Sequence, residues 1–174
     1  MEKLNYNFYK RDAVTVAQEL LGKTLVRVWD DASVSRYTIT ETEAYFGEED
    51  QACHASKGRT KRTEIMYASG GHVYVYLIYG MYWLLNVVTG NEKHPEAVLI
   101  RGLDEVIGSG KVGRILKIDK SFYGEHLLYS PRIWIEDAPL ETSFHALPRI
   151  GIDYAGEEWR NKAWRFTLHS HKGQ

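Results

Sequence analysis

Apolar residues recur at Ala13, Val16, Ala17, Leu20 and Leu21, the spacing of one helix face, with Asp12 placed to cap its start and Gly22 to stop it. After this helix the period shortens to that of strands. Residues 25–29 are strand-like, Asp30-Asp31 begins a turn, and residues 36–45 alternate as a strand. Residues 73–78 and 82–88 read as two strands joined at Tyr79-Gly80-Met81, a hairpin with glycine in the turn. Further strands are expected over residues 97–101, 133–136, 149–153 and 164–168, and a second helix over 111–118. Residues 47–62 follow neither period and read as an irregular loop. Strands outnumber helices and their alternation is irregular, which predicts an α+β fold on a mostly antiparallel or mixed sheet.

At 174 residues, with no linker or internal repeat, the chain reads as one domain over residues 1–174. Hydrophobic residues at 44% and charged residues at 26% exclude disorder as the main state. A single cysteine, Cys53, rules out an internal disulfide or a Cys-rich zinc module and fits a reducing, cytoplasmic compartment. The N-terminus has no apolar signal region, and residues 169–174 read as a polar, frayed tail. With a formal net charge of −1, no global field draws nucleic acid, so any such partner must be held by a local patch. Twelve tyrosines and five tryptophans stand out, because many of these rings also carry a polar handle.

Three lookalikes fall away. Residues 65–91 contain no Asp, Glu, Lys or Arg, yet Gly70-Gly71, Gly80 and five tyrosines interrupt the run, so no membrane span is expected. Gly108, Gly110 and Gly113 spell G-x-G-x-x-G, but Asp104 and Glu105 separate them from the preceding strand, which argues against a dinucleotide cofactor. The pairs His169/His171 and Cys53/His54 do not supply metal-ligand spacing, so no metal is expected.

Three features point to chemistry. In Glu41-Thr-Glu-Ala-Tyr45, strand alternation puts Ile39, Glu41, Glu43 and Tyr45 on one side. If that side is buried, one carboxylate has a raised pKa and can serve as a base; the plain alternative is a solvated outer face. Tyr74 and Tyr76 share a strand face, whereas Tyr79 projects from the hairpin turn, an exposed ring that a base stack could receive. Lys57, Arg59, Lys61 and Arg62 cluster in the loop, either as phosphate contacts or as an ordinary solvated run. Arg101 ends the apolar run before it and is expected to enter a site or pair with a carboxylate such as Glu43. A wedge, stacking rings, cations and a carboxylate are the parts that base extrusion needs. A nicotinamide oxidoreductase and a non-catalytic DNA-binding module are the competing classes.

Leu20-Leu-Gly-Lys-Thr-Leu-Val-Arg, Thr40-Glu-Thr-Glu-Ala-Tyr, Tyr74-Val-Tyr-Leu-Ile-Tyr-Gly-Met-Tyr and Val98-Leu-Ile-Arg closely resemble the alkyladenine DNA glycosylase family, the mammalian-type 3-methyladenine DNA glycosylases also found in bacteria. The likeness runs from about Leu20 to Phe166 and includes Pro148-Arg-Ile-Gly-Ile-Asp. The resemblance implies a curved antiparallel sheet flanked by helices, a protruding hairpin, a monomer, no cofactor, and removal of damaged purines from double-stranded DNA. It implies Glu43 as the carboxylate that activates water and Arg101 beside that water. Tyr45 would stack on one face of the flipped base, with His54 and Tyr76 against the other. Asn86 would disfavour the guanine amino group, and Ile150 would be the aliphatic contact. Tyr79 would be the minor-groove wedge, with Met81 on the opposite strand and Tyr74 in support. Gly102 stands where the family is expected to carry alanine.

Overall fold

The longest strand, β2 (Val34–Phe46), organises the sheet because it changes partners along its length. Its first half pairs with β1 (Thr24–Val28), and its second half lies between β5 (Glu96–Leu103) and β9 (Arg165–Leu168). β3 (Val73–Ile78) and β4 (Tyr82–Thr89) form the hairpin, and β4 joins it to β5. β7 (Ile133–Glu136) closes the other side, giving the order β3-β4-β5-β2-β1-β7. β6 (Val106–Ile107) pairs with β5, and β8 (Phe144–Leu147) pairs with β9. Every one of these pairings is antiparallel, and with the helices α1 (Tyr6–Tyr9), α2 (Ala13–Leu20), α3 (Ser109–Ile115) and α4 (Gly156–Arg160) the architecture is α+β. The computed structural model describes residues 1–168; the tail expected to fray, with His169 and His171, lies outside them.

Residues directly opposite in an antiparallel ladder share a face. The row Val73–Val87–Val98–Ala44 crosses four strands, and all four residues join the main hydrophobic core. Against this face pack Ala13, Val16, Ala17 and Leu20 of α2 and Val112 of α3. Asp12 caps α2 by accepting the Thr15 N–H at 2.9 Å, and Gly22 follows its end at φ +83°, both as the pattern requires. Close packing on α3 needs Gly113, because a Cβ there would fall 1.9 Å from the Trp83 carbonyl oxygen. That is packing between helix and sheet, and it accounts for one glycine of the discounted G-x-G-x-x-G.

The opposite face carries the row Tyr74–Asn86–Leu99–Glu43, flanked by Tyr76–Leu84 and Val88–Ala97–Tyr45. Two 3-10 turns, His54–Lys57 and Glu64–Tyr67, lie over it and pack Cys53, Ala55 and Met66 on Tyr74 and Ala97.

Two expectations need correction. Ile39 does not share the face of Glu43 and Tyr45: it joins the core with Ala44, because the β2–β5 ladder slips between Ile39 and Thr42 and reverses the parity. Residues 149–153 do not form a strand either. The Ile150 N–H is committed to a side chain, Gly151 has φ +75°, and Asp153–Ala155 is a 3-10 turn. The short α1, α4, β6 and β8 carry too little periodicity to announce themselves.

The slip leaves Gly102 against the bulged strand. A Cβ on it would sit 2.9 Å from both the Glu41 Cβ and the Thr40 Oγ1. Gly102→Ala should therefore destabilise the fold by about 1–3 kcal/mol, read as a lowered midpoint in urea, even though alanine is the better strand residue.

Candidate active site

The Glu43 carboxylate lies at the middle of the sheet, with Leu99 opposite on one side and Arg165 on the other, and its side chain is fully buried. It accepts two hydrogen bonds, from the Ile150 N–H at 2.7 Å and from the Tyr45 hydroxyl at 3.1 Å. Burial pushes the carboxyl above its ordinary value. Arg101, the Ile150 N–H, the Tyr45 hydroxyl and Arg149 each pull it down, without cancelling the effect of burial. Arg101 is not ion-paired with Glu43. Its Nε contacts Glu41 at 3.3 Å, and Arg165 holds the same Glu41 oxygen at 3.0 Å. Glu41 is thus occupied by two cations, and Glu43 is the carboxylate that faces a cavity.

That cavity measures about 340 Å³, toward the small end of ligand sites. Sheet residues Glu43, Tyr45, Tyr74, Tyr76, Asn86 and Arg101 line it. His54 closes one side and Ile150 another, and Tyr79 reaches the mouth. The His54 ring meets the Tyr76 ring edge-on at 4.4 Å, and its Nδ1 lies 2.9 Å from the Tyr74 hydroxyl and 3.3 Å from Arg62. Arg62 also lies 3.5 Å from Nε2, so its guanidinium reaches both ring nitrogens. Burial first, then Arg62 and Lys57, lower the His54 pKa to about 4, so this ring is neutral at physiological pH. Asn86 is buried and donates to the Tyr74 carbonyl at 3.3 Å.

At the hairpin tip both Tyr79 and Gly80 have positive φ, +51° and +64°, and the Met81 N–H closes the turn on the Ile78 carbonyl at 3.1 Å. A bulky residue in this region is strained by roughly 1–2 kcal/mol. Tyr79 is 86% exposed and Met81 is exposed beside it. The basic loop divides. Arg62 leans over the Tyr76 ring at 5.2 Å, Arg59 pairs with Glu64 at 3.2 Å, and Lys57 and Lys61 lie exposed.

Two features carried no signal in the sequence. Tyr154 lines the cavity, 69% exposed, with its hydroxyl donating to the Ala52 carbonyl at 3.0 Å. Arg149 and Asp50 form a buried ion pair behind Tyr45. Their partners are about 100 residues apart in the chain, beyond the reach of any local pattern. Cys53 also lines the cavity, and burial pushes its thiol up to about 12, so it is not a thiolate at neutral pH.

A buried, ionisable carboxylate with fixed donors, an adjacent guanidinium and an aromatic enclosure is an arrangement with the chemistry to hold a planar ring and to act on a bond beside it. Comparison with known proteins narrows this class. The family model for methylpurine-DNA glycosylase matches residues 7–107 and 104–172. A protein of Natranaerobius thermophilus is 42% identical over 190 residues, covering 95% of each chain. One from Legionella pneumophila (strain Corby) is 45% identical over 177 residues, covering 97% of this chain and 95% of its own. Both are provisionally named 3-methyladenine DNA glycosylase. The chain belongs to the methylpurine-DNA glycosylase family and is a hydrolase of N-glycosyl bonds. Among the described residues no helix is long and apolar enough to cross a membrane.

The raised Glu43 carboxyl has a cost in stability. The folded protein holds a proton there at a pH where the unfolded chain has lost it, so stability falls as pH rises through the folded pKa. Glu43→Gln keeps the shape and removes the charge. Its melting temperature should exceed that of the wild type at about pH 8, with the gap closing as pH falls through that pKa.

Proposed function

We propose that the protein flips an alkylated or deaminated purine, of the 3-methyladenine and hypoxanthine class, out of double-stranded DNA and hydrolyses its N-glycosidic bond. The observation that carries this reading is the Glu43 carboxylate, buried and held by the Ile150 N–H and the Tyr45 hydroxyl, facing an aromatic cavity. The everted base lies between Tyr45 on one side and His54 with Tyr76 on the other, and Asn86 meets its edge. Ionised Glu43 accepts a proton as water attacks C1′. The C1′–N bond breaks with its electron pair going to the purine, through an oxocarbenium-like transition state. Arg101 orients the water or the carboxylate. The products are a free base and an abasic site. No lysine is among the residues lining the cavity, which agrees with a monofunctional enzyme that does not cleave the strand.

Tyr79 enters the minor groove and fills the vacated space, with Met81 against the opposite strand and Tyr74 in support from below. Lys57, Arg59, Lys61 and Arg62 contribute local cations for phosphates, which a chain of net charge −1 needs. The enzyme acts as a monomer in the cytoplasm.

Incubation with methylated duplex should release free purine, and Glu43→Gln should bind the same duplex while losing excision by a factor of about 10² or more. Near-normal release by that variant removes Glu43 from the role of base; binding without release by the wild type makes the protein a non-catalytic module.

The hairpin makes a second prediction with two opposite signs. Asparagine tolerates positive φ and Asn-Gly is the favoured pair for this turn, so Tyr79→Asn should stabilise the fold by about 1 kcal/mol. The same change should lower the flipped fraction, read from the fluorescence of a 2-aminopurine placed beside the lesion.

A further inference from the structure

Behind the cavity wall lies an ion pair that the mechanism above does not use. The Arg149 and Asp50 side chains are both 0% exposed. The guanidinium grips the carboxylate with two bonds, at 2.6 and 3.0 Å. A buried pair of this kind is seldom more stabilising than apolar side chains of the same volume, so its presence asks for a purpose beyond stability.

Its remaining bonds supply one. Arg149 also donates to the Ala44 carbonyl at 3.0 Å and the Trp159 carbonyl at 3.2 Å. Asp50 accepts the Phe46 N–H and the Ala52 N–H, each at 3.0 Å. The pair therefore grips β2 on both sides of Tyr45, and the Arg149 guanidinium lies 5.0 Å from the centre of that ring. The next residue after Arg149 is Ile150, whose N–H makes the 2.7 Å bond to Glu43. The segment carrying this N–H belongs to no strand and has glycine at positive φ just beyond it, so no ladder holds it in place. Two side chains tie the segment to the sheet: Arg165 of β9 donates to the Pro148 carbonyl at 2.9 Å, and Arg149, the one next to Ile150, donates to the Ala44 carbonyl.

We propose that Asp50 and Arg149 are a positioning pair for the glycosylase reaction, holding the Ile150 N–H against Glu43 and thereby fixing where that carboxylate points. The proposal rests on the reading of Glu43 as the base. Neither residue lines the cavity, so both act through Glu43 and not on the substrate. The other groups facing Glu43 are Arg101 from β5, Tyr45 on its own strand, Tyr76 from β3 and Tyr154 from the C-terminal turn. Glu41 and Arg165 are paired with each other beside it. None of these holds the Ile150 amide.

The test compares wild type, Arg149→Lys and the neutral pair Asp50→Asn/Arg149→Gln, which leaves no unpaired buried charge. Single-turnover release of methylpurine is measured across pH, together with binding to duplex carrying an uncleavable tetrahydrofuran abasic analogue. In the neutral pair the acid limb of the rate profile should move up by about one pH unit, a loss of about tenfold on that limb, with analogue binding unchanged. Arg149→Lys keeps a charge but not the two-bonded grip. It should move the limb in the same direction as the neutral pair, which separates loss of the grip from loss of the charge. A second readout needs no turnover. The Ile150 amide resonance should follow the Glu43 titration in the wild type and lose that inflection in the neutral pair, as it does in Glu43→Gln. Folded variants with an unmoved limb and an unchanged Ile150 titration overturn the proposal. So does a uniform loss that includes binding, or failure of both variants to fold, since either assigns the pair to structure alone. A wild type that releases no base, with the Ile150 amide still following Glu43 and releasing it in the neutral pair, fails the functional reading and leaves the positioning geometry standing.

Discussion

A charge in the middle of a β-sheet is the constraint around which the rest of this molecule is arranged. Glu43 has strand neighbours on both sides and no solvent, so its ionised form is opposed by burial. What makes the ion tolerable is a small set of donors brought from elsewhere. One is a backbone N–H from residue 150, one a hydroxyl two residues along the strand, and one a guanidinium across the ladder. The sheet places the hydroxyl and the guanidinium. The N–H comes from irregular chain, and that chain in turn needs a buried ion pair to hold it. Order therefore runs from the sheet outward to the loop, and the geometry of the carboxylate depends on both.

The same strands serve two masters because their period is two. The row Val73–Val87–Val98–Ala44 seals the sheet against α2, and one residue over, the row Tyr74–Asn86–Leu99–Glu43 floors the cavity. A slip of one residue in any of these strands would exchange core for site. The apolar face is the register lock: it is continuous, dry and pressed on a capped helix, so the polar face inherits a placement it could not enforce by itself. Sites built on such strands are held more firmly than sites on loops. The exception is the hairpin tip, where Tyr79 is kept in a strained left-handed conformation and nearly full exposure, a local loss that the strands behind it support.

How much of this could be read in advance follows the range of the interactions. Helix α2, its aspartate cap, its glycine stop and the strands of the hairpin depend on residues a few positions apart, and the pattern places them within one or two residues. The pairing of Tyr74 with Tyr76 on one face follows from the same period. Alternation alone puts Ile39 on the wrong side, because the ladder slip lies in the close approach of Gly102 to Thr40 and Glu41, not in the pattern of one strand. Arg101 is expected to enter a site or pair with a carboxylate such as Glu43; it does line the cavity, and the carboxylate it touches is Glu41. Residues 149–153 look like a strand because Ile150 and Ile152 alternate. They are not one, since Glu43, far upstream, claims the Ile150 N–H that a strand would need, and Gly151 at φ +75° turns the chain away. The role of Glu43 as the buried carboxylate was legible only through family resemblance; alternation alone left Glu41 equally eligible.

On the proposed reading of Glu43, the cavity holds a base but no ready acid among the other groups that line it. At neutral pH His54 is an uncharged ring, since burial and the nearby Arg62 and Lys57 hold its pKa near 4. The Cys53 thiol, pushed up to about 12, and the Tyr45 and Tyr76 phenols, pushed up by burial, hold their protons firmly. On the proposed reaction, a leaving purine thus receives little help from proton donation by these groups. A base alkylated at N3 or N7 needs none, because it already carries a positive charge and departs neutral. Aromatic walls favour that cation by roughly 0.5–2 kcal/mol while it is bound, and the ionised Glu43 favours it further. An undamaged purine meets the same enclosure without a charge to be recognised or a proton to leave with. Selection of alkylated purines on this account lies less in the shape of the cavity than in what the cavity withholds, whereas a deaminated purine, uncharged like the undamaged base, is not selected this way.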